Sequence, residues 1–180
     1  MRYHVNMIPQ QTDMGCWAAS IAMIFGWAQR VSIDPGAIAA RDGYQRYLSE
    51  GLPPNDDSIL RAWGIYPEAP QNYSIGGFMQ LLQQYGPLWI AAAAPGPHVR
   101  VVTGFDPNPD ALKAKVYIND PWERGMKQFR LPNKGARYTI SYIDLVNQEE
   151  KLAKHELFDP LFSSKVPIYV AHLPSKPHSD

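Results

Sequence analysis

The only cysteine of this 180-residue chain lies in the stretch Gln10-Gln11-Thr12-Asp13-Met14-Gly15-Cys16-Trp17-Ala18-Ala19-Ser20. The stretch leads into an apolar run that reaches Ala28, which predicts a helix over residues 15–29 with Cys16 in its first turn. Unpaired backbone N–H groups and the positive end of the helix dipole favour a thiolate there, the form that attacks carbonyl groups. The amide of Gln10 can join the backbone N–H of Cys16 in an oxyanion hole. The pattern therefore predicts a cysteine nucleophile, and the alternative is a buried structural thiol.

A cysteine nucleophile needs a base, and two predicted strands in the second half of the chain supply one. The strand at residues 98–105 opens with His98 and is rich in β-branched residues, and the strand at residues 115–120 ends with Asp120 before a proline. A histidine at the start of one strand and an acid at the end of the next can meet across an antiparallel pair. We therefore expect a nucleophile, a general base and an orienting acid, in the order Cys16, His98 and Asp120.

These motifs resemble those of the papain-like cysteine peptidases. The resemblance is carried by Gln10, the run Gly15-Cys16-Trp17-Ala18-Ala19, the strand from His98 to Gly104, and Asp120-Pro121-Trp122. In papain the histidine lies about 130 to 150 residues after the cysteine. Here it lies 82 residues after it (98 minus 16). The sequence is therefore more similar to compact bacterial forms, namely bacteriocin-processing peptidases that cut after a double glycine and secreted papain-like effector proteases.

The resemblance implies an α+β, papain-like fold, in which a buried N-terminal helix carrying the cysteine packs on an antiparallel sheet carrying histidine and aspartate. It implies a cysteine endopeptidase that cleaves a polypeptide substrate through an acyl-enzyme intermediate, without a cofactor. The implied roles of oxyanion donor, nucleophile, base and third triad member fall on Gln10, Cys16, His98 and Asp120. Gln11 and Asn119 lie beside two of these residues, and each is the alternative if the correspondence is shifted by one position.

Composition and charge limit the partners and the location of this chain. It has 17 basic and 17 acidic residues and no run of like charges, so we expect neither nucleic acid nor a membrane surface as a partner. A single cysteine permits no intramolecular disulfide, which suits a reducing compartment. The longest apolar run, residues 16–28, is too short to cross a bilayer, and no secretory signal is evident at the N-terminus. We expect a cytoplasmic protein, or a toxin or effector that enters a target cell by a signal-independent route and meets an immunity or inhibitor protein.

The pattern along the chain predicts an α-rich first half and a β-rich second half. The first helix is apolar on all sides, which is typical of a helix buried between two layers, and Asp13 is its expected cap. Other helices are predicted at residues 35–49, in a short segment ending at Trp63, at 75–85 and at 141–156. Strands are predicted at residues 88–94, 98–105, 115–120, 126–131 and 166–172. We expect one domain over residues 1–173 and a flexible tail over residues 174–180.

The residues beside the predicted nucleophile and base suggest the specificity of the cleft. They are apolar or small: Met14, Gly15, Trp17, Pro95, Gly96 and Pro97. A narrow cleft admits residues without side chains next to the scissile bond, and the double-glycine peptidases that this chain resembles cut there for that reason. We therefore expect cleavage after Gly-Gly in an exposed segment of a target protein.

Three other interpretations remain open from the sequence. A transglutaminase-like or amidase activity would use the same three residues on a different acyl group. A non-catalytic binding module on a papain-like scaffold would be expected to have lost the cysteine, the histidine or the acid, and this chain has all three. A zinc site built from the same residues is a weak alternative, because no CxxC or HxxxH spacing accompanies them.

Overall fold

The computed structural model describes residues 1–93, 96–157 and 168–176, and this part of the chain has an α+β architecture. Its helices are α1 (Cys16–Gln29), α2 (Pro35–Ala40), α3 (Tyr47–Glu50), α4 (Ser58–Ala62), α5 (Ile75–Tyr85) and α6 (Tyr142–Leu157), and a 3₁₀ helix spans Arg41–Arg46. Its strands are β1 (Tyr66–Pro67), β2 (Leu88–Ala93), β3 (Pro97–Asp106), β4 (Lys115–Asp120), β5 (Ala136–Ser141) and β6 (Val170–His172). None of the helices within the described ranges is both long and apolar enough to cross a membrane.

The strands form one six-stranded antiparallel sheet with the order β1-β6-β2-β3-β4-β5. Helix α1 packs on β3, and α6 packs on β2. Strand β3 is buried without interruption from Val99 to Phe105, which is expected where both faces of a sheet are covered. Strand β3, which carries His98 as its second residue, is therefore packed between the two layers of the protein.

Helix α1 is buried on all sides, as its sequence predicts. Nine of its residues are buried, and they occupy consecutive positions from Trp17 to Ile24 together with Ala28. Full burial of a large apolar side chain such as Ile21 stabilises the fold by about 1.5–3 kcal/mol. Gly15 is the N-cap, and no side chain caps the helix, so the expectation that Asp13 would cap it is wrong. The backbone N–H groups of the first turn are consequently left without a side-chain acceptor.

Helix α5 spans Ile75–Tyr85, the range that its sequence predicts. The hydroxyl of Ser74 caps it by accepting a hydrogen bond from the N–H of Gly77 at 3.0 Å. Gly86 ends it with φ of 84°, and a Cβ at this position would lie 2.5 Å from the ring of Trp27. Glycine is thus required there by both its positive φ and the close packing.

The single helix predicted over residues 35–49 is interrupted. Asp42 and Gly43 adopt positive φ values of 54° and 79°, which separate α2 from α3 by a 3₁₀ segment. Asp-Gly is a common turn dipeptide because both residues tolerate left-handed backbone conformations. The helical periodicity of the segment predicted one continuous helix in spite of this turn signal.

The strand predicted at residues 126–131 is wrong, and the neighbouring strand of the sheet is β5 at Ala136–Ser141. The carbonyl of Met126 accepts a hydrogen bond from the indole N–H of Trp122 at 2.9 Å, and its N–H donates to the carbonyl of Glu123. These backbone groups form hydrogen bonds within a loop and therefore do not pair with a neighbouring strand. The strand predicted at residues 166–172 is shorter, since β6 begins at Val170, and residues 166 and 167 lie outside the described chain.

Candidate active site

His98 and Asp120 form a close pair at the end of the sheet. The Nε2 atom of His98 lies 2.6 Å from Oδ1 of Asp120, and both side chains are nearly buried. His98 lies near the start of β3 and Asp120 at the end of β4, and these strands are antiparallel neighbours. The antiparallel pairing therefore brings the start of one strand to the end of the next, as the sequence predicts.

Cys16 is the first residue of α1, it lines the same two grooves as His98, and its thiol lies close enough to the imidazole to interact with it. Because Asp120 occupies Nε2, the nitrogen that remains for the thiol is Nδ1. Cys16 is partly exposed, and the first turn of α1 contains no acidic residue. The thiol therefore lies between the positive end of a helix and the imidazole of His98.

The charged forms of His98 and Asp120 stabilise each other. Burial opposes a proton on His98, but hydrogen bonds and charge interactions with Asp120 and Cys16 outweigh it and raise the pKa of His98 to about 9. Burial also opposes ionisation of Asp120, yet its interactions with His98 and its hydrogen bonds from Trp122 and Tyr138 hold its pKa below the usual value. The geometry therefore favours an imidazolium beside an ionised carboxylate.

The two alternative residues point elsewhere. The side-chain amide of Asn119 donates to the carbonyl of Val5 at 3.1 Å and lies near the sulfur of Met23, on the opposite face of β4 from Asp120. Gln11 is exposed and donates to the carboxylate of Asp34 at 2.8 Å. The structure thus brings Asp120, and not Asn119, against His98.

Gln10 is buried in the loop that precedes Cys16. Its Nε2 atom donates to the carbonyls of Thr12 and Asp13, each at 2.8 Å, while its Oε1 has no hydrogen-bond partner within the described chain. Its own carbonyl accepts from the side chain of Asn133. In this conformation both amide hydrogens of Gln10 therefore hold the loop in front of Cys16.

The sequence did not predict the hydrogen bonds that hold Asp120 on the side away from His98. Oδ2 of Asp120 accepts a hydrogen bond from the hydroxyl of Tyr138 at 2.7 Å. The hydroxyl of Tyr138 accepts one from Arg100 at 3.0 Å, and Arg100 also donates to Gln148 on α6 at 2.7 Å. The available signal was alternation along the strands, which places His98 and Arg100 on one face of β3. The contact with Tyr138 depends on β5, whose position was predicted wrongly.

Two grooves meet at Cys16 and His98. One is apolar, and its lining includes Met14, Trp17, Leu52, Pro53, Trp89 and Leu152. The other runs past Asp120, and its lining includes Asp13, Gly96, Pro97, Trp122, Met126 and Lys127. Pro95, which we expected in the wall of the cleft, lies outside the described residues. Within the described ranges, no group of three His, Cys, Asp or Glu side chains has an arrangement suited to a metal ion.

An N-terminal helix and an antiparallel sheet in an α+β architecture, with a thiol facing a histidine–carboxylate pair, are compatible with the class of papain-like cysteine peptidases. Residues 1–134 match the family described as papain-like cysteine protease AvrRpt2, and the chain belongs to this family. The prediction of a papain-like cysteine protease, a hydrolase of a bacterial effector family that acts on a polypeptide, is confirmed at the level of the family. None of the curated proteins compared with the chain matches it.

Proposed function

We propose that Cys16, His98 and Asp120 are the catalytic triad of this peptidase. The observation that carries the proposal is the position of His98, which has Asp120 on Nε2 at 2.6 Å and lines the same two grooves as Cys16. A base held by an acid on one nitrogen and facing a nucleophile with the other is the arrangement that nucleophilic catalysis needs. The raised pKa of His98, about 9, keeps the imidazole protonated at neutral pH beside the thiolate.

In the proposed reaction, the thiolate of Cys16 attacks the scissile carbonyl carbon, and the electron pair of the carbonyl moves to its oxygen. His98 donates its proton to the leaving amine as the C–N bond breaks, which leaves a thioester on Cys16. Water then attacks the thioester, His98 accepts one of the water protons, and the C–S bond breaks, which restores the thiolate and releases a carboxylic acid that ionises in solution. Asp120 holds the imidazole in the orientation that both steps require.

For Gln10 we propose two connected roles. Its amide hydrogens hold the carbonyls of Thr12 and Asp13 and thereby shape the loop that presents Cys16. When substrate binds, one of these hydrogens turns to the developing oxyanion and acts together with the backbone N–H of Cys16. Replacement of Gln10 by alanine is expected to lower kcat by a factor on the order of 10²–10³, the size of the loss found when a single oxyanion donor is removed.

We further propose that the peptidase cuts after Gly-Gly. Gly96, Pro97 and Trp122 line the groove that contains Cys16, His98 and Asp120, and small or apolar walls of this kind suit substrate residues without side chains. The chain's own Gly76-Gly77 should survive, because it forms the first turn of α5 and cannot extend into a cleft. Profiling with a peptide library tests this specificity, and a preference for arginine, lysine or a large apolar residue immediately before the cut would refute it.

The biological role that we propose is that of an effector delivered into a target cell, where an immunity or inhibitor protein can restrain it. Membership of a bacterial effector family supports this role. The decisive experiment compares new protein N-termini in target cells that make the wild-type protein or the Cys16→Ala variant. Cleavage that depends on Cys16 supports the peptidase. Products that instead show deamidation or amine incorporation by mass would favour an amidase or a transglutaminase-like enzyme.

A further inference from the structure

A continuous chain of hydrogen bonds runs from Asp120 into the protein interior. Its members lie on neighbouring strands, because Ile118 on β4 pairs with Tyr138 on β5, and Asp120 is two residues further along the same face. These hydrogen bonds connect Oδ2 of Asp120 to the hydroxyl of Tyr138 at 2.7 Å, and that hydroxyl to Arg100 at 3.0 Å. Strand register thus places an arginine and a tyrosine directly behind the carboxylate that faces His98.

The direction of each hydrogen bond follows from the chemistry of the groups. A guanidinium has only donors, so Arg100 must donate to the hydroxyl oxygen of Tyr138. The phenol then has one hydrogen left, and the ionised carboxylate of Asp120 accepts it. Oδ1 of Asp120 is shared between His98 at 2.6 Å and the backbone N–H of Trp122 at 2.9 Å. Among the described residues, Tyr138 is the one hydrogen-bond donor to Oδ2, and its loss would free the carboxylate to rotate.

Burial shows that Arg100 is an unusual residue for this position. Arg100 is 1% exposed in a strand that is otherwise apolar or uncharged from Val99 to Phe105, and its Nε has no hydrogen-bond partner within the described ranges. A buried charge costs free energy unless other groups compensate it, and an apolar side chain would pack at lower cost. Glu149 compensates only in part, because burial raises its pKa to about 7 despite the nearby charge of Arg100. The hydroxyl of Tyr138 connects Arg100 to a second negative charge, the carboxylate of Asp120.

We propose that Tyr138 is a positioning residue for catalysis, which fixes the carboxylate of Asp120 against His98, and that Arg100 orients the Tyr138 hydroxyl for this task. The proposal rests on the triad assigned under the proposed function. Tyr138 lines neither of the two grooves that meet at Cys16, and it acts through Asp120. Arg100 acts one step further back, through Tyr138.

The first test is Tyr138→Phe, which removes only the hydroxyl. We expect kcat to fall about ten- to hundredfold, as for the loss of a hydrogen bond to a charged group, while KM stays within about twofold. The substrate is the fluorogenic peptide that the wild-type protein cleaves best in the library. The matched control is Tyr142→Phe, which removes a hydroxyl that donates to the carbonyl of Tyr73 at 2.8 Å, away from His98. Urea unfolding of both variants shows whether each is folded.

Two further measurements separate positioning from a structural role. In proton NMR, the resonance of the His98 imidazole N–H that faces Asp120 should shift or broaden in Tyr138→Phe and stay unchanged in Tyr142→Phe. In a double-mutant cycle, Arg100→Met should lower kcat in the wild-type background and have little further effect in the Tyr138→Phe background, because it acts through the lost hydroxyl.

The outcomes distinguish this proposal from the one on which it rests. If Cys16→Ala and His98→Ala abolish cleavage while Tyr138→Phe keeps the wild-type kcat and the His98 resonance, the positioning role is refuted and the triad stands. Equal losses of kcat in Tyr138→Phe and Tyr142→Phe would also refute it. Unchanged cleavage by Cys16→Ala would refute the triad itself.

Discussion

Among the described residues, two largely buried histidines each have a carboxylate on Nε2, and they differ in what lies beside the other ring nitrogen. His98 meets Asp120 at 2.6 Å, and His172 on β6 meets Glu68 at 2.7 Å. The second nitrogen of His172 lies 2.6 Å from the carbonyl of Leu173, and its ring stacks on Tyr85 with the ring centroids 3.6 Å apart. The remaining nitrogen of His98 faces the thiol of Cys16.

The comparison shows that a histidine–carboxylate pair is not by itself a catalytic signature. At His172 both nitrogens contact oxygen atoms, and the pair ties β6 to the segment around β1, whose residues pair with it in the sheet. At His98 the carboxylate orients the ring, and the free side of the ring meets the first residue of a helix. We therefore expect the His98 pair to control catalysis and the His172 pair to control stability.

The largest expected effect is the contrast between His98→Ala and His172→Ala. Loss of the base should lower kcat/KM by a factor on the order of 10³ or more. His172→Ala should keep kcat within about twofold but lower the free energy of unfolding by about 1–3 kcal/mol, since buried hydrogen bonds are lost. Peptide cleavage and urea unfolding measure both variants. A catalytic defect in a folded His172→Ala protein would overturn the comparison.

The next effect concerns the two carboxylates. Asp120→Ala should lower kcat by a factor on the order of 10² or more through loss of the orientation of the base. Glu68→Ala should leave kcat near the wild-type value, because its histidine does not touch the thiol. Asn119→Ala is a further control, measured on protein shown to be folded. A large loss for Asn119→Ala with little loss for Asp120→Ala would transfer the third catalytic role to Asn119.

A smaller effect should appear in the reactivity of the thiol. At about pH 6, iodoacetamide should alkylate Cys16 about tenfold faster than it alkylates glutathione, because the positive end of α1 and the protonated His98 lie beside the sulfur. His98→Ala should remove most of this excess, and His172→Ala should keep it. Mass spectrometry of quenched samples gives the rates. Slow alkylation of the folded wild-type protein would support a structural cysteine.

The last expected effect is on the pH dependence of stability. The pKa of His98 rises from 6.5 to about 9 in the folded protein, so its protonation stabilises the fold fully below about pH 6.5 and this contribution disappears as the pH rises through about 9. Between about pH 6 and pH 10, the wild type should therefore lose about 2–3 kcal/mol more stability than His98→Ala. Urea titrations at both pH values test this. Equal losses in the two proteins would show that the His98 proton does not stabilise the fold.

Much of the fold could be predicted from local sequence. The range of α5 follows from the Ser74 cap and from Gly86, and the burial of α1 follows from its uniformly apolar surface. The break at Asp42 and β5 could not be predicted in the same way. Helical periodicity outweighed a turn signal in one case, and in the other a strand was predicted at residues 126–131, where the backbone of Met126 is hydrogen-bonded within a loop.

The sequence by itself determined the chemistry of the candidate site, because a lone cysteine at a helix start, a histidine that opens a strand and an acid that ends the next are local features. Only the tertiary structure decided between Asp120 and Asn119, since adjacent strand residues point to opposite faces and strand pairing determines which face meets His98. The same holds for Arg100 and Tyr138, which are 38 residues apart and touch because β3, β4 and β5 align in one register. Register depends on the packing of the whole sheet, and no local pattern encodes it.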